Sequence, residues 1–83
     1  MKLEVNYIYT IYDIHKIYDA NDSFTIILNT TSTNIDNLES IFNEVDHIKI
    51  VDGEKTRIYK NKYKLKSITV DIFNNTTTIH LYV

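Results

Sequence analysis

The residues best equipped for chemistry in this chain are six cations interleaved with phenols. Lys55, Arg57, Lys60, Lys62, Lys64 and Lys66 fall within twelve residues, with Tyr59 and Tyr63 among them. In the run "KTRIYKNKYKLK", Lys60, Lys62, Lys64 and Lys66 share one parity, and Tyr59, Tyr63 and Leu65 share the other. On an extended strand this alternation puts ammonium groups on one face and rings on the opposite one. Such a surface could neutralise phosphates and offer rings for stacking. The same pattern also describes an ordinary strand, with a solvated lysine face that discourages unwanted edge pairing. Arg57 is the only arginine and the net charge is −2, whereas domains that bind nucleic acid are usually basic and use arginine to read phosphates and bases. Nucleic-acid binding through this strand is therefore a lesser expectation than contact with protein.

Other chemistry finds little to work with. His15, His47 and His80 are far apart and show no metal-ligand spacing, although His15 and His80 could meet across strands. Ser23, Ser32, Ser40 and Ser67 sit in no nucleophile-elbow context, and one glycine cannot build a phosphate loop. Asp71, beside an apolar strand, is a candidate for a raised pKa but has no partner carboxylate. The expectation is a protein that is not an enzyme, with no cofactor, no metal and no small-molecule substrate.

Charge is segregated along the chain. Residues 1–54 carry ten acids and three bases, a balance of −7, and residues 55–83 carry six bases and one acid, a balance of +5. Segregated charge orients an encounter with a charged partner. Mimicry of a nucleic-acid backbone would need denser negative charge than this.

Eighty-three residues make one domain, 1–83, of a size that buries only about 60% of its unfolded surface. Fourteen isoleucines and seven tyrosines can supply a rich core without the disulfides that cysteine would provide. The absence of cysteine favours a reducing interior, or a particle whose neighbouring subunits supply further burial. The N-terminus lacks the apolar run of a classical signal peptide, and Ile26-Ile27-Leu28 is far too short to span a bilayer. The expected location is a virion or a host cytoplasm, without membrane contact. A richness in Ile, Asn, Lys and Tyr matches A+T-rich codons, as in a low-GC bacterium or its virus.

Leu3, Val5, Tyr7, Tyr9 and Ile11 alternate, predicting a strand over residues 2–11. A second strand is predicted over 12–18, with Ile14 and Tyr18 on one face and His15 and Ile17 on the other. The turn "DANDS" precedes a third, "FTIILN", apolar on both faces and so placed centrally. Ile35, Leu38, Ile41, Phe42 and Val45 then fall at spacings of three and four, predicting one helix over 34–45 with Thr33 as its N-cap. Strands follow over 47–52, 57–60, 63–73 and 77–83, with turns at Gly53 and at "NNT". The predicted fold is α+β: a mostly antiparallel, twisted sheet of six or seven short strands with one helix packed on a face, in the order β-β-β-α-β-β-β-β.

The tyrosines, Tyr7, Tyr9, Tyr12, Tyr18, Tyr59, Tyr63 and Tyr82, suit either strand filling or an interface, since tyrosine buries area while keeping a hydroxyl for bonding. The segments "NIDNLESIF", "IKIVDGEKTRIY" and "KYKLKSITVDIFNNTTTIHLYV" resemble small uncharacterised proteins of phages and prophages of low-GC Gram-positive bacteria. The likeness covers residues 34–83 and rests on Leu38, Phe42, Gly53, Tyr59 and Lys64 to Ile68; Asn61 and Lys62 stand where a glycine-containing link is more usual. It assigns no site residue. It implies a virion-associated, often tail-region, component, or a small factor acting on host machinery. The leading expectation is thus a phage protein acting by protein–protein contact or self-association. An inhibitor of a host defence or nucleic-acid enzyme is the first alternative. The candidate contact residues are Arg57, Tyr59, Lys60, Lys62, Tyr63, Lys64 and Lys66.

Overall fold

The computed structural model describes residues 1–31 and 35–83, so the proposed Thr33 cap and the Asn34 helix start lie outside the described residues. The fold is α+β and dominated by antiparallel strands; the described residues form four before the helix and five after it. In chain order they are β1 (Lys2–Val5), β2 (Tyr9–Ile11), β3 (Ile14–Asp19), β4 (Ser23–Leu28), α1 (Ile35–Phe42), β5 (Glu44–Val45), β6 (Ile48–Asp52), β7 (Lys55–Tyr59), β8 (Tyr63–Asp71) and β9 (Thr76–Tyr82). They form two sheets rather than one, ordered β2-β1-β6-β7 and β3-β4-β9-β8-β5.

Strand numbers exceed the expectation for specific reasons. The single strand predicted over 2–11 is a hairpin, with Leu3 opposite Ile11 and Val5 opposite Tyr9. Asn6 and Tyr7 both take positive φ, at 54° and 63°, and the Ile8 amide donates to the Val5 carbonyl at 3.1 Å. Positive φ at both central residues is the turn that suits a right-twisted hairpin. The connection has three residues, an odd number, so apolar parity survives the reversal and the turn is invisible to alternation.

The helix ends at Phe42, one turn earlier than predicted. Val45 extends the helical spacing in sequence, yet it lies in β5 and pairs with Tyr63 of β8. Leu38, Ile41 and Phe42 are buried, and α1 packs against β5 and β8.

The core is held between the sheets. Leu3, Val5, Ile48 and Ile50 come from the four-stranded sheet, and Phe24, Ile26, Leu28, Ile79 and Leu81 from the other. Burying a side chain of this kind stabilises by about 1.5–3 kcal/mol, which is how so small a domain offsets its chain entropy.

Two bulges aim the remaining apolar residues. Register shifts between Ile14 and Lys16, so Ile14 faces buried Leu28 and Ile17 faces buried Ile26. Ile17 therefore joins the core side, contrary to the predicted pairing of Ile17 with His15, and Tyr18 turns outward. A second shift between Leu65 and Ser67 likewise brings Leu65 and Ile68 to one side, opposite Leu81 and Ile79. One extra residue reverses the facing of everything beyond it.

Candidate interaction surfaces

The lysine series does not form one ribbon. β7 ends at Tyr59, and Lys60 and Lys62 lie in the link that carries the chain from one sheet to the other. Lys64 is on β8, across from Glu44 and Tyr82, and Lys66 occupies the bulge. All four are exposed. Among the described residues, ion pairs join Glu4 to Lys2 (3.3 Å) and to Lys49 (3.9 Å), and none involves the cations from Lys55 to Lys66. Tyr63 is not a stacking platform. It is 3% exposed, with its ring centroid 5.6 Å from that of Phe24.

Arg57 and Tyr59 instead belong to a groove. β3 and β7 are edge strands of different sheets and are not paired with one another. Between them lies a cleft of about 210 Å³. Register explains which β7 side chains enter it. Lys55, Arg57 and Tyr59 stand opposite Asp52, Ile50 and Ile48, and opposed residues share a face. That face is the core-facing one, because Ile48 and Ile50 are buried. Charged residues pointing inward on an edge strand discourage strand addition, which gives Lys55 and Arg57 a structural purpose in any case.

The far wall comes from β3. The Tyr59 hydroxyl crosses the groove to donate to Asp19 Oδ2 at 2.6 Å. That bond, helped by burial, pushes the Tyr59 phenol above its ordinary value, while the neighbouring Arg57 pulls more weakly the other way. Ile17, Ile50 and Met1 give the groove an apolar floor. Lys16 stands at the rim, its Nζ 4.9 Å from the centroid of the Tyr18 ring. Three cations, Lys16, Lys55 and Arg57, line the cavity against two carboxylates, Asp19 and Asp52, so its excess of positive charge suits an apolar group with a negative charge beside it.

The second surface is the β8–β9 turn. Ile72 is 79% exposed and Phe73 is fully exposed. The turn beneath them is tightly fastened. Asp71 accepts from the Asn74 amide through Oδ1 (3.2 Å) and from the Asn74 side-chain amide through Oδ2 (2.7 Å). These bonds lower the Asp71 carboxyl below its ordinary value, the reverse of the raised pKa suggested by its apolar strand. Asn75 takes φ 53°, and its Oδ1 accepts from the Thr31 amide (3.1 Å) and hydroxyl (2.6 Å). The Thr77 hydroxyl donates to the Thr30 carbonyl at 2.9 Å. Nothing in composition or alternation marks Ile72 and Phe73 as a tip; the "NNT" signal placed the turn but not its apolar crown.

A third feature is the stack of Tyr7 on His47, with centroids 3.9 Å apart and rings 21° from parallel. His47 is 6% exposed, and its Nδ1 has no hydrogen-bond partner. Asn6 secures this corner. Its amide donates to the His47 carbonyl (2.8 Å) and its Nδ2 to the Glu44 carbonyl (2.9 Å), while its Oδ1 accepts from the amides of Asp46 (2.8 Å) and His47 (3.3 Å).

The histidines do not converge. β4 lies between β3, which carries His15, and β9, which carries His80. His80 Nδ1 faces the Thr25 hydroxyl at 3.4 Å. Among the described residues, no cluster of His, Asp and Glu could hold a metal ion, and no helix is long and apolar enough to cross a membrane. Comparison with protein-family models, with curated proteins and with solved structures yields no match to this chain.

Proposed function

We propose that this chain is a non-enzymatic phage protein that works by protein–protein contact, as a virion component in or near the tail. The observation that carries this reading is the Ile72–Phe73 tip. Turn positions favour Asn, Asp and Gly, yet two large apolar side chains stand there in water. Singly exposed apolar residues are ordinary. An adjacent pair on a fastened turn differs, because the backbone that carries it is pre-ordered and binding has only the side-chain rotamers left to fix. Burying the two would contribute on the order of 3–5 kcal/mol of gross transfer energy, enough to anchor a subunit contact.

Fractionation of phage particles carrying the gene tests the reading. The chain should band with the particles through a density gradient, and Phe73→Ser should leave it in the soluble fraction. A chain found only free of particles in both forms would overturn the proposal.

A further inference from the structure

The two surfaces are complementary in kind. The tip offers Phe73 and Ile72 beside the Asp71 carboxylate, which its Asn74 bonds hold in the charged form. The groove offers an apolar floor of Ile17, Ile50 and Met1; Lys16, Lys55 and Arg57 outnumber the carboxylates Asp19 and Asp52 around it, and no ion pair satisfies Lys55 or Arg57 among the described residues. The sizes also agree. A cavity of about 150 Å³ admits a benzene ring, and this one measures about 210 Å³. We propose that the Ile72–Phe73 tip of one copy seats in the β3–β7 groove of a second, with Asp71 against Lys55 and Arg57.

The contact joins unlike surfaces: made one way it is heterologous and leaves a free tip and a free groove for growth into a ring or a filament, and made both ways at once it closes a two-fold dimer. An exposed edge strand flanked by inward charges is then closed by the neighbour. This inference rests on the assembly reading above and deepens it, naming a second copy of the chain as a partner.

Sedimentation velocity over a wide concentration series tests it with the whole chain. The unmodified protein should associate as concentration rises, to a closed dimer or beyond it, and association should weaken as salt rises. Phe73→Ser removes the knob, and Arg57→Glu, or Lys55→Glu at a second exposed position, reverses the charge of the hole. Each alone should weaken association at least tenfold with an unchanged circular dichroism spectrum. A mixture of Phe73→Ser with Arg57→Glu keeps one intact groove and one intact tip, and should stop at a one-to-one dimer. Association that survives Arg57→Glu and Lys55→Glu but not Phe73→Ser would mean tip-to-tip pairing and overturn the proposal. A chain that stays monomeric at every concentration also overturns it; if that chain still bands with particles, the assembly function stands and only the self-contact falls.

Discussion

Tyr59 and Asp19 are joined across the opening between the two sheets, hydroxyl to carboxylate, at 2.6 Å. Tyr59 sits on the edge strand of one sheet and Asp19 on the edge strand of the other, so this bond ties the rims of the groove together. Tyr59 also lies edge-on to Phe24, with centroids 5.1 Å apart and rings at 70°, which couples the rim to the core.

Replacing Tyr59 by Phe should keep the ring contact and lose only the bond. A hydrogen bond to a charged group contributes about 1.5–3 kcal/mol when shielded, and solvent at this partly open site should reduce that to about 1 kcal/mol. The pH dependence has a definite sign. The folded phenol titrates above its ordinary value of 10.0, so the contribution is complete below that pH and is lost as pH rises through the folded value. Denaturant titrations at neutral and alkaline pH should show the unmodified chain losing stability faster than Tyr59→Phe. Parallel losses would mean that the bond does not form in solution.

Phe24 carries more of the fold. It is fully buried, and its ring meets both Tyr59 and Tyr63. Phe24→Ala should cost about 3–5 kcal/mol, most of the stability available to a domain this small. Thermal unfolding should therefore lose its cooperative transition, whereas Phe24→Leu should retain one at lower temperature.

Asn6 holds the first hairpin against the β5–β6 link and does so in a conformation most residues resist. Asn6→Ala removes three side-chain bonds and puts a less tolerant residue at φ 54°. The expected loss is about 2–4 kcal/mol, summing lost bonds worth about 1 kcal/mol each with the backbone term. Asn6→Gly should be milder, since only the bonds are lost. Equal melting temperatures for the two variants would remove the backbone part of the argument.

The corner built on Asn6 also shows where the sequence stops being readable. Alternation locates β6 and β9 with their buried sides, because each keeps one parity throughout; β4, whose run reads as apolar on both faces, buries only Phe24, Ile26 and Leu28. Alternation misses the reversal at Asn6 and both bulges, where a single residue changes parity or an odd loop conceals a turn. Helical spacing located α1 but extended it to Val45, whose burial comes from pairing with Tyr63. At the candidate surfaces, composition marks Arg57 and Tyr59. Lys55, although part of the same basic run, and Asp19, Lys16 and Ile17, remote in sequence, became groove residues only through the sheet order that sets β3 opposite β7. The four lysines share parity along the chain, and the break expected between 60 and 63 gives no local sign that it carries the chain from one sheet to the other after Tyr59.

The turn under Phe73 should loosen in acid. Asp71 titrates below its ordinary value of 3.8, so the help it gives the folded state is present above that pH and fades as pH falls through the lower, folded value. Hydrogen exchange at the Asn74 amide, whose bond goes to Asp71 Oδ1, reports this locally. Asp71→Ala should speed that exchange at neutral pH and leave amides in β4 unchanged. An unaltered Asn74 rate would show that the tip is ordered by Asn75 and Thr31 alone.

The dispersed lysines lead to the last expectation. Phosphate contact needs cations arrayed along a backbone track, with rings beside them for stacking. Lys60 and Lys62 sit in a link, Lys64 faces a β5 glutamate across the sheet, Lys66 occupies a bulge, and Tyr63 is buried. Single-stranded and duplex DNA should therefore give no shift in a gel at moderate salt. Changing Lys60, Lys62, Lys64 and Lys66 together to Ala should alter melting by no more than a few degrees, since exposed charges without partners contribute little. A salt-sensitive shift with the unmodified chain, abolished by that quadruple change, would instead restore the basic segment as the working surface.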